Sequence, residues 1–404
     1  MSMVAGSVTI AALLAANSAL AGGYSVLHSF SGPPDGTAPG AALIRDNAGN
    51  LYGTTFDGGT GTNCLGGCGT VFEIAANGIE AVLYSFQGDT DGAGPASRLI
   101  EDKAGNLYGT TEYGGGGVNC TQWGTVFELA PNRTETILNQ FVSGTDGAGP
   151  EGDIVMDSKG NIYGTTGAGG GSTNCTNGCG TVYEVVKGGD ETVLHAFRGS
   201  DGSMPSTGLV VDAKGNFYGA TQSGGSKNYG TLFELAHAQG AWTEKVLDDF
   251  KAGRKDGALP SGLFLDSAED VFGTTVAGGT GVKCSVGCGT VFELPTGGTE
   301  RILHSFPGTR QDGAFAAGDL VQDVTGNLYG TTLFGGSKGS GTVFKLASDG
   351  TVTVLHSFGA QAGDGVQPAG VIADSKGRLY GATGEGGAST NCTSGFGTIF
   401  RINE

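Results

Sequence analysis

Three acids in this chain stand next to recurrent Gly-Gly pairs: Asp57, Glu112 and Glu385. Tyr113 follows Glu112 directly, and Trp123 and Phe396 each stand immediately before a later Gly-Thr step. Rings beside carboxylates suit sugar recognition, because a ring stacks on the apolar face of a sugar while a carboxylate accepts hydrogen bonds from its hydroxyls. A plainer account stands beside this one: Trp123 and Phe396 fill space that a cystine fills in other copies of the same motif. Glu112 and Glu385 could also act as acid and base on a glycosidic bond.

Cysteine is the second chemically capable set. Cys64/Cys68, Cys175/Cys179 and Cys284/Cys288 are Cys-x-x-x-Cys pairs in the loops that precede Gly-Thr. Zinc would need four ligands, and each pair supplies two with no histidine nearby. Two thiols held this close in an exported protein form a disulfide, here expected as a local brace of its loop. Cys120 and Cys392 occupy the first position of such a pair without the second. His28, His195, His304 and His356 recur at one position of a repeated strand, so they cannot converge on one substrate, and no catalytic triad is visible. Asp89 and Asp91 resemble a fragment of a calcium loop but lack its later ligands. Neither a metal centre nor a cofactor is expected.

These residues ride on a sevenfold repeat. The motif Gly-Asn-Leu-Tyr-Gly-Thr-Thr around Tyr108 recurs at Tyr52, Tyr163, Tyr218, Phe272, Tyr329 and Tyr380. A Gly-Thr-Val-Phe strand follows it, starting at Gly69, Gly124, Gly180, Gly230, Gly289, Gly341 and Gly397. Each copy reads as four short strands: A (Leu-Ile-x-Asp), B (Leu-Tyr-Gly-Thr-Thr), C (Gly-Thr-Val-Phe-Glu-Leu) and D (Val-Leu-His-Ser-Phe). An Asp-Gly-x-x-Pro turn joins D to the next A, with Ala316 replacing proline in the sixth copy. Repeated four-stranded units of this length predict an all-β, seven-bladed β-propeller. The chain opens on a D strand and ends on a C strand, so the N-terminal strand should complete the last blade. A linear β-solenoid would need no such matching of ends.

In a propeller, strand A lines the channel and D forms the rim. The D–A and B–C connections then share one face, while the other face has only tight turns. Binding is expected on the first face, because variable loops on a rigid scaffold carry function. The B–C loops are long in copies seven, one, two and three, which predicts a wall on one side of the channel mouth.

The chain has 404 residues, 80 of them glycine, and a formal net charge of −18. That charge argues against nucleic acid or an anionic membrane as partner. Residues 8–20 are apolar and end in a small-x-small site, so residues 1–21 are expected to be a signal peptide and 22–404 the propeller. No second apolar run is long enough to span a membrane.

The seven copies of Gly-Asn-Leu-Tyr-Gly-Thr-Thr, Gly-Gly and Gly-Thr-Val-Phe-Glu-Leu resemble the GloVer-type choice-of-anchor tandem-repeat family. The resemblance covers nearly all of residues 24–402. It implies an exported bacterial surface or secreted protein and brings no established catalytic residues. The chain departs from that family's pattern after Ile402, where Asn403 and Glu404 follow instead of an apolar sorting segment, so anchoring in the family's manner is not expected. The expected function is a secreted or surface module that binds an extracellular glycan or protein. The alternatives are an extracellular lyase or glycosidase, and an adhesive protein without a small ligand. Near-uniform repeats favour the first and third, since an active site normally breaks symmetry with clustered charge.

Overall fold

The computed structural model describes residues 23–115, 123–142, 144–388 and 395–404. Among them are seven sheets of four antiparallel strands, ordered A-B-C-D from the channel outward. Blade one is Ile44–Arg45, Leu51–Thr55, Thr70–Ile74 and Glu80–Ser85. In blade two the inner strand comes in two pieces, Ala93–Pro95 and Ile100–Glu101. Blade seven is Gly365–Ala373, Leu379–Gly386 and Thr398–Ile402, and Tyr24–Ser29 supplies its outer strand. The register runs from Tyr24 opposite Ile402 to Ser29 opposite Thr398, with a bulge between Val26 and His28. The ring is closed by the N-terminal strand, as the matched ends predicted. The signal-peptide segment, Cys120 and Cys392 lie outside the described residues.

Inside a blade the motif letters have separate jobs. The strand C aromatic, Phe72 in blade one, is fully buried. Its ring end lies 2.7 Å from where a Cβ of Gly53 would stand, so the glycine of Leu-Tyr-Gly-Thr-Thr is the space that admits the neighbouring ring. The second threonine of strand B bonds the threonine of strand C at 2.8–2.9 Å in every blade, from Thr55–Thr70 to Thr383–Thr398. These hydroxyls are buried, and each satisfies the other.

Between blades two contacts recur at all seven junctions. The phenylalanine that follows strand D meets the strand C aromatic of the next blade edge to face, with centroids 5.0–5.4 Å apart. Phe30 and Phe72 make this pair across the closure. Such pairs contribute about 0.5–1.5 kcal/mol each beyond the area they bury.

The second contact uses the Asp-Gly-x-x-Pro turn. Its fourth residue takes a left-handed backbone: Ala38, Gly94, Gly149, Met204, Leu259, Phe315 and Gln367, with φ of 53–62°. That twist aims its N–H at the carbonyl preceding Gly-Thr in the blade before, at 2.7–3.0 Å. The closing member is Ala38 N–H to the Phe396 carbonyl at 3.0 Å. At six junctions the following proline packs on the glycine of that Gly-Thr step, and at the other Ala316 lies against Gly289.

Strand D holds the turn in place. His28 bonds Asp35 at 3.3 Å, His195 bonds Asp201 at 3.2 Å and His304 bonds Asp312 at 3.1 Å. His356 pairs with Asp364 in the same way, and Tyr84 donates to Asp91 at 2.9 Å. Hydrogen bonds from His28 and from the Gly36 and Ser31 amides pull the Asp35 carboxyl below its ordinary range, against a desolvation that pushes it up.

The three Cys-x-x-x-Cys pairs are disulfides, Cys64–Cys68, Cys175–Cys179 and Cys284–Cys288, each with Cα atoms 5.2 Å apart. These are the local loop braces the spacing predicts, and the second cysteine of each pair has a further role in the core. Cys68, Cys179 and Cys288 are buried, with 0–1% exposure, in the hydrophobic core. Cys68 packs with Phe86, Ala93 and Leu99, Cys179 with Phe197 and Leu209, and Cys288 with Phe306 and Ala314. The reason is the junction itself. The carbonyls of Cys68, Cys179 and Cys288 accept the amides of Gly94, Met204 and Phe315, which seats each cysteine beneath the turn into the next blade. Cys64, Cys175 and Cys284 are only partly buried, so each bond fastens a loop to the core.

The proline–glycine packing yields a test. A Cβ on Gly397 would stand 2.4 Å from the Thr383 carbonyl oxygen and 2.5 Å from Pro39 Cδ, at φ +97°. Gly350 has φ +86° with nothing within 4 Å. In urea unfolding G397A should lose at least ~3 kcal/mol, whereas G350A should lose only the ~1 kcal/mol of left-handed strain. Equal losses would show that the junction tolerates a methyl group.

Candidate binding face

Strand A brings seven chain segments to the channel, and most present small residues there. Three do not. The Arg98 amide donates to Asp153 Oδ1 at 2.7 Å, and its Nε lies 3.3 Å from Asp153 Oδ2. Its Nη1 lies 3.3 Å from Asp319 Oδ2. The Leu263 amide donates to Asp319 Oδ1 at 3.2 Å. Blades two and three are thus tied across the channel to blade six, on the far side of the ring. The loop face therefore opens on a floor of charge-paired side chains. Burial holds the Asp319 carboxyl well above the ordinary range. The Asp153 carboxyl pushes the same way and Arg98 opposes it. Sequence reading missed this cluster. The signal was present, since Arg98, Asp153 and Asp319 stand where other copies have Ala42, Gly208, Gly262 and Gly370.

The expected site residues lie on the loop side of this floor. Trp123 is 36% exposed and its segment bridges to Gly114, the residue after Tyr113. The ring lines a cavity of about 310 Å³ together with Gly144, Ala148, Gly171, Ser172, Asn177 and Gly178 of blades two and three. Tyr113, Met204 and Phe334 are exposed on the same face. Tyr113 meets Phe56 edge to face at 6.2 Å, so blades one and two share an aromatic step beside the mouth.

Glu112 acquires a partner that the sequence did not single out. Glu151, just after the proline of the turn into blade three, lies against Gly167, its Oε1 3.5 Å from where a Cβ would stand. Burial first, and then the charge of Glu112, push the Glu151 carboxyl up to about 7. Burial raises Glu112 as well, against its hydrogen bond with Tyr113. The Tyr113 hydroxyl is pushed up to about 12, by that bond first and then by burial.

The remaining expected residues are spread around the ring. Asp57 sits in blade one, its backbone paired with Thr37 and its carboxyl raised by burial. Glu385 lies opposite Val366 in blade seven. Among the described residues no hydrogen bond, ion pair or ring contact links Glu385 to Glu112. The Phe396 ring packs over Gly32 against the core shared by blades seven and one, beside Phe30, Leu43 and Phe72. The inner cysteines Cys68, Cys179 and Cys288, being buried and disulfide-bonded, offer nothing to a ligand on this face. The taller B–C loops of blades two and seven fall largely on residues 116–122 and 389–394, outside the described residues.

A larger cleft, about 480 Å³, lies on the tight-turn side between blades five and six, lined by Asp270, Glu293, Arg301 and Ser348 among others. Counterparts of about 300 and 150 Å³ occur between blades four and five and between blades one and two. Between blades three and four Tyr163 packs on Phe217 at 4.6 Å and on Trp242 at 6.4 Å instead. Recurrence at equivalent junctions marks these clefts as a product of the repeat, whereas the Trp123 cavity depends on residues that break it.

The fold and this face define a seven-bladed β-propeller with a charge-paired cluster in its channel and one irregular loop face. The chain matches the model of the Gloeobacter/Verrucomicrobia repeat over residues 16–176, 172–286 and 281–404, and it belongs to that family. No curated protein matches the sequence. Among solved structures it overlaps PorZ, a bacterial surface component of the type-IX secretion system of Porphyromonas gingivalis. The TM-score is 0.53 at 14% identity, over 92% of this chain and 47% of that one. The extracellular domain of BT4673 from B. thetaiotaomicron overlaps with a TM-score of 0.52 at 9% identity, over 94% of this chain and 40% of that one. At these identities the likeness is one of fold. Among the described residues no helix is long and apolar enough to cross a membrane.

The channel floor makes a pH-dependent prediction. A carboxyl raised by folding stabilises the fold while it is protonated, and that contribution is lost as the pH climbs through its folded pKa. Arg98 offsets the loss by pairing with the charged form. R98A should therefore lower stability by roughly 2–4 kcal/mol at pH 8 and by clearly less at pH 5. Denaturant curves at the two pH values check this, and an equal effect at both would remove the Arg98–Asp319 pairing from the account.

Proposed function

We propose that this protein is an exported propeller that binds an extended glycan on its loop face, over blades one to three. The observation that carries the reading is the Trp123 cavity: an exposed indole facing a wall of backbone and small polar side chains, with Glu112 and Tyr113 on the adjoining strand and Glu151 in the turn into blade three. An indole supplies an apolar platform, and backbone amides with carboxyls supply directional hydrogen bonds. Asp57 and Glu385 extend the face toward blades one and seven, while Phe396 serves the core. Export is part of the proposal. A signal peptide over residues 1–21, disulfides that form in oxidising compartments, and the family itself support it.

One observation favours a second reading, an extracellular carbohydrate-active enzyme. Glu151, held at about 7 beside Glu112, has the protonation range a general acid needs. Here Glu151, in place of Glu385, is the partner of Glu112.

Affinity electrophoresis through gels that contain a panel of polysaccharides, with reducing ends assayed on the same panel, tests both readings. At least one polysaccharide should retard the wild type. W123A should weaken that retention about tenfold or more, in keeping with a lost stacking contact of ~1–2 kcal/mol. Lys227→Ala with Lys338→Ala, on the low side of the mouth, should leave it unchanged. Retention that W123A does not alter would overturn the assignment of the site. Release of reducing ends that E151Q abolishes would replace binding with catalysis.

A further inference from the structure

Among the described residues, two sets of side chains bring one imidazole and two carboxylates within 4.8 Å of one another: His28, Asp35, Glu80 and His195, Asp201, Glu244. They are the same arrangement built twice. The histidine comes from the outer strand of one blade and the aspartate from the turn that leaves it. The glutamate comes from the outer strand of the next blade, opposite Ile74 in one case and Leu235 in the other. The first set joins the closing strand Tyr24–Ser29 to blade one, and the second joins blade three to blade four.

Two features of these sets bear on what they could hold. Glu80 Oε1 and Glu244 Oε1 are shut off from solvent and have no hydrogen-bond partner, yet each faces an imidazole–carboxylate pair. A desolvated, unpaired carboxylate oxygen is costly unless a positive charge meets it. The aspartates, in contrast, are firmly aimed. Asp35 accepts from the Gly36 amide at 2.7 Å, the Ser31 amide at 3.0 Å and the Ser31 hydroxyl at 3.1 Å, and Asp201 accepts from the Arg198 amide at 2.7 Å. Hydrogen bonds of this kind orient a ligand carboxylate from behind. His28 and Asp35 keep 20% and 15% of their side-chain surface exposed, which leaves an entry from the rim.

The fold also supplies its own controls. Glu135, Glu191 and Glu300 carry the same unpaired oxygen at other junctions, but the histidine position before them holds Tyr84, Asn139 or Asp248. His304–Asp312 and His356–Asp364 repeat the imidazole–carboxylate pair. At the glutamate position the blades that follow them carry Val352, opposite Leu346, and Tyr24, opposite Ile402. Tyr24 stacks on His356 at 3.7 Å and occupies the place of the third ligand.

We infer that His28–Asp35–Glu80 and His195–Asp201–Glu244 are two divalent transition-metal sites that staple neighbouring blades at the rim. Imidazole with two carboxylates suits Zn²⁺ and its neighbours Co²⁺ and Ni²⁺, whereas Ca²⁺ and Mg²⁺ prefer all-oxygen sets. Three protein ligands leave the remaining position to water. In the first site the ion locks the strand that closes the ring. The contact between His Nε2 and the Asp carboxylate gives way to a shared ion, and Glu80 and Glu244 gain the charge that their unpaired oxygens lack.

The test is calorimetric titration of the full chain with Zn²⁺ after chelator treatment, paired with Co²⁺ absorption in the visible. Wild type should take up two equivalents at micromolar concentration, with a Co²⁺ spectrum of nitrogen and oxygen ligation and a raised melting temperature. E80Q should take up one, E80Q/E244Q none, and H304Q the full two. The glutamine variants keep the side chain's shape, and circular dichroism of each reports whether it folds. Should a glutamine variant not fold, the wild-type Co²⁺ spectrum decides. Uptake by the double variant equal to wild type, no uptake by wild type at micromolar Zn²⁺, or a spectrum without nitrogen ligation would overturn the inference.

Discussion

Seven four-stranded sheets become one body only if each is fastened to the next, and here the fastening is a backbone device. A residue held in the left-handed region turns one amide toward the carbonyl before Gly-Thr in the preceding blade. A proline or its substitute then seats on the glycine, and an aromatic pair closes the junction from within. The motif letters that look like turn grammar are therefore junction grammar. Asp-Gly-x-x-Pro and Gly-Thr are the two halves of one contact, and they come from different repeats.

That contact explains which positions are free to carry function. The residue before Gly-Thr serves the junction through its carbonyl, so its side chain can vary: it is cysteine, tryptophan, tyrosine, serine or phenylalanine around the ring. In blades one, three and five the freedom goes to Cys68, Cys179 and Cys288, whose buried sulfurs tie a long loop to the core. In blade seven Phe396 fills core space, and in blade two Trp123 stands at a cavity. The same logic applies in the channel. Strand A needs small residues for close approach, and three exceptions, Arg98, Asp153 and Asp319, form its floor.

The architecture was legible because the repeat prints it seven times. Strand order, blade number and closure by the N-terminal strand all follow from spacing and from matched ends, and the structure shows them. What lay beyond reading was the contacts between residues of different repeats. Glu151 feels the charge of Glu112 from the preceding repeat, and Arg98 reaches Asp319 from across the ring. The disulfides were legible from spacing, but the burial of their inner halves depends on the next blade's turn, which spacing does not reveal. The histidines were legible as strand D residues that serve structure, but not the glutamates that come to face two of them. Departures from the repeat are the right signal, and the plainest charged exceptions lie along strand A rather than in the loops.

If the junction amide is what makes seven blades one cooperative body, amide hydrogen exchange tests it most directly. The amides of Ala38, Gly94, Gly149, Met204, Leu259, Phe315 and Gln367 lie where each turn enters its inner strand, and each donates to the preceding blade, so their exchange reports on the junction. The account predicts that all seven exchange only with global unfolding, and that Ala38 at the closure is as slow as the other six. Fast exchange at these turns while the strand C amides stay protected would contradict it, because the blades would then hold together without the contact described here.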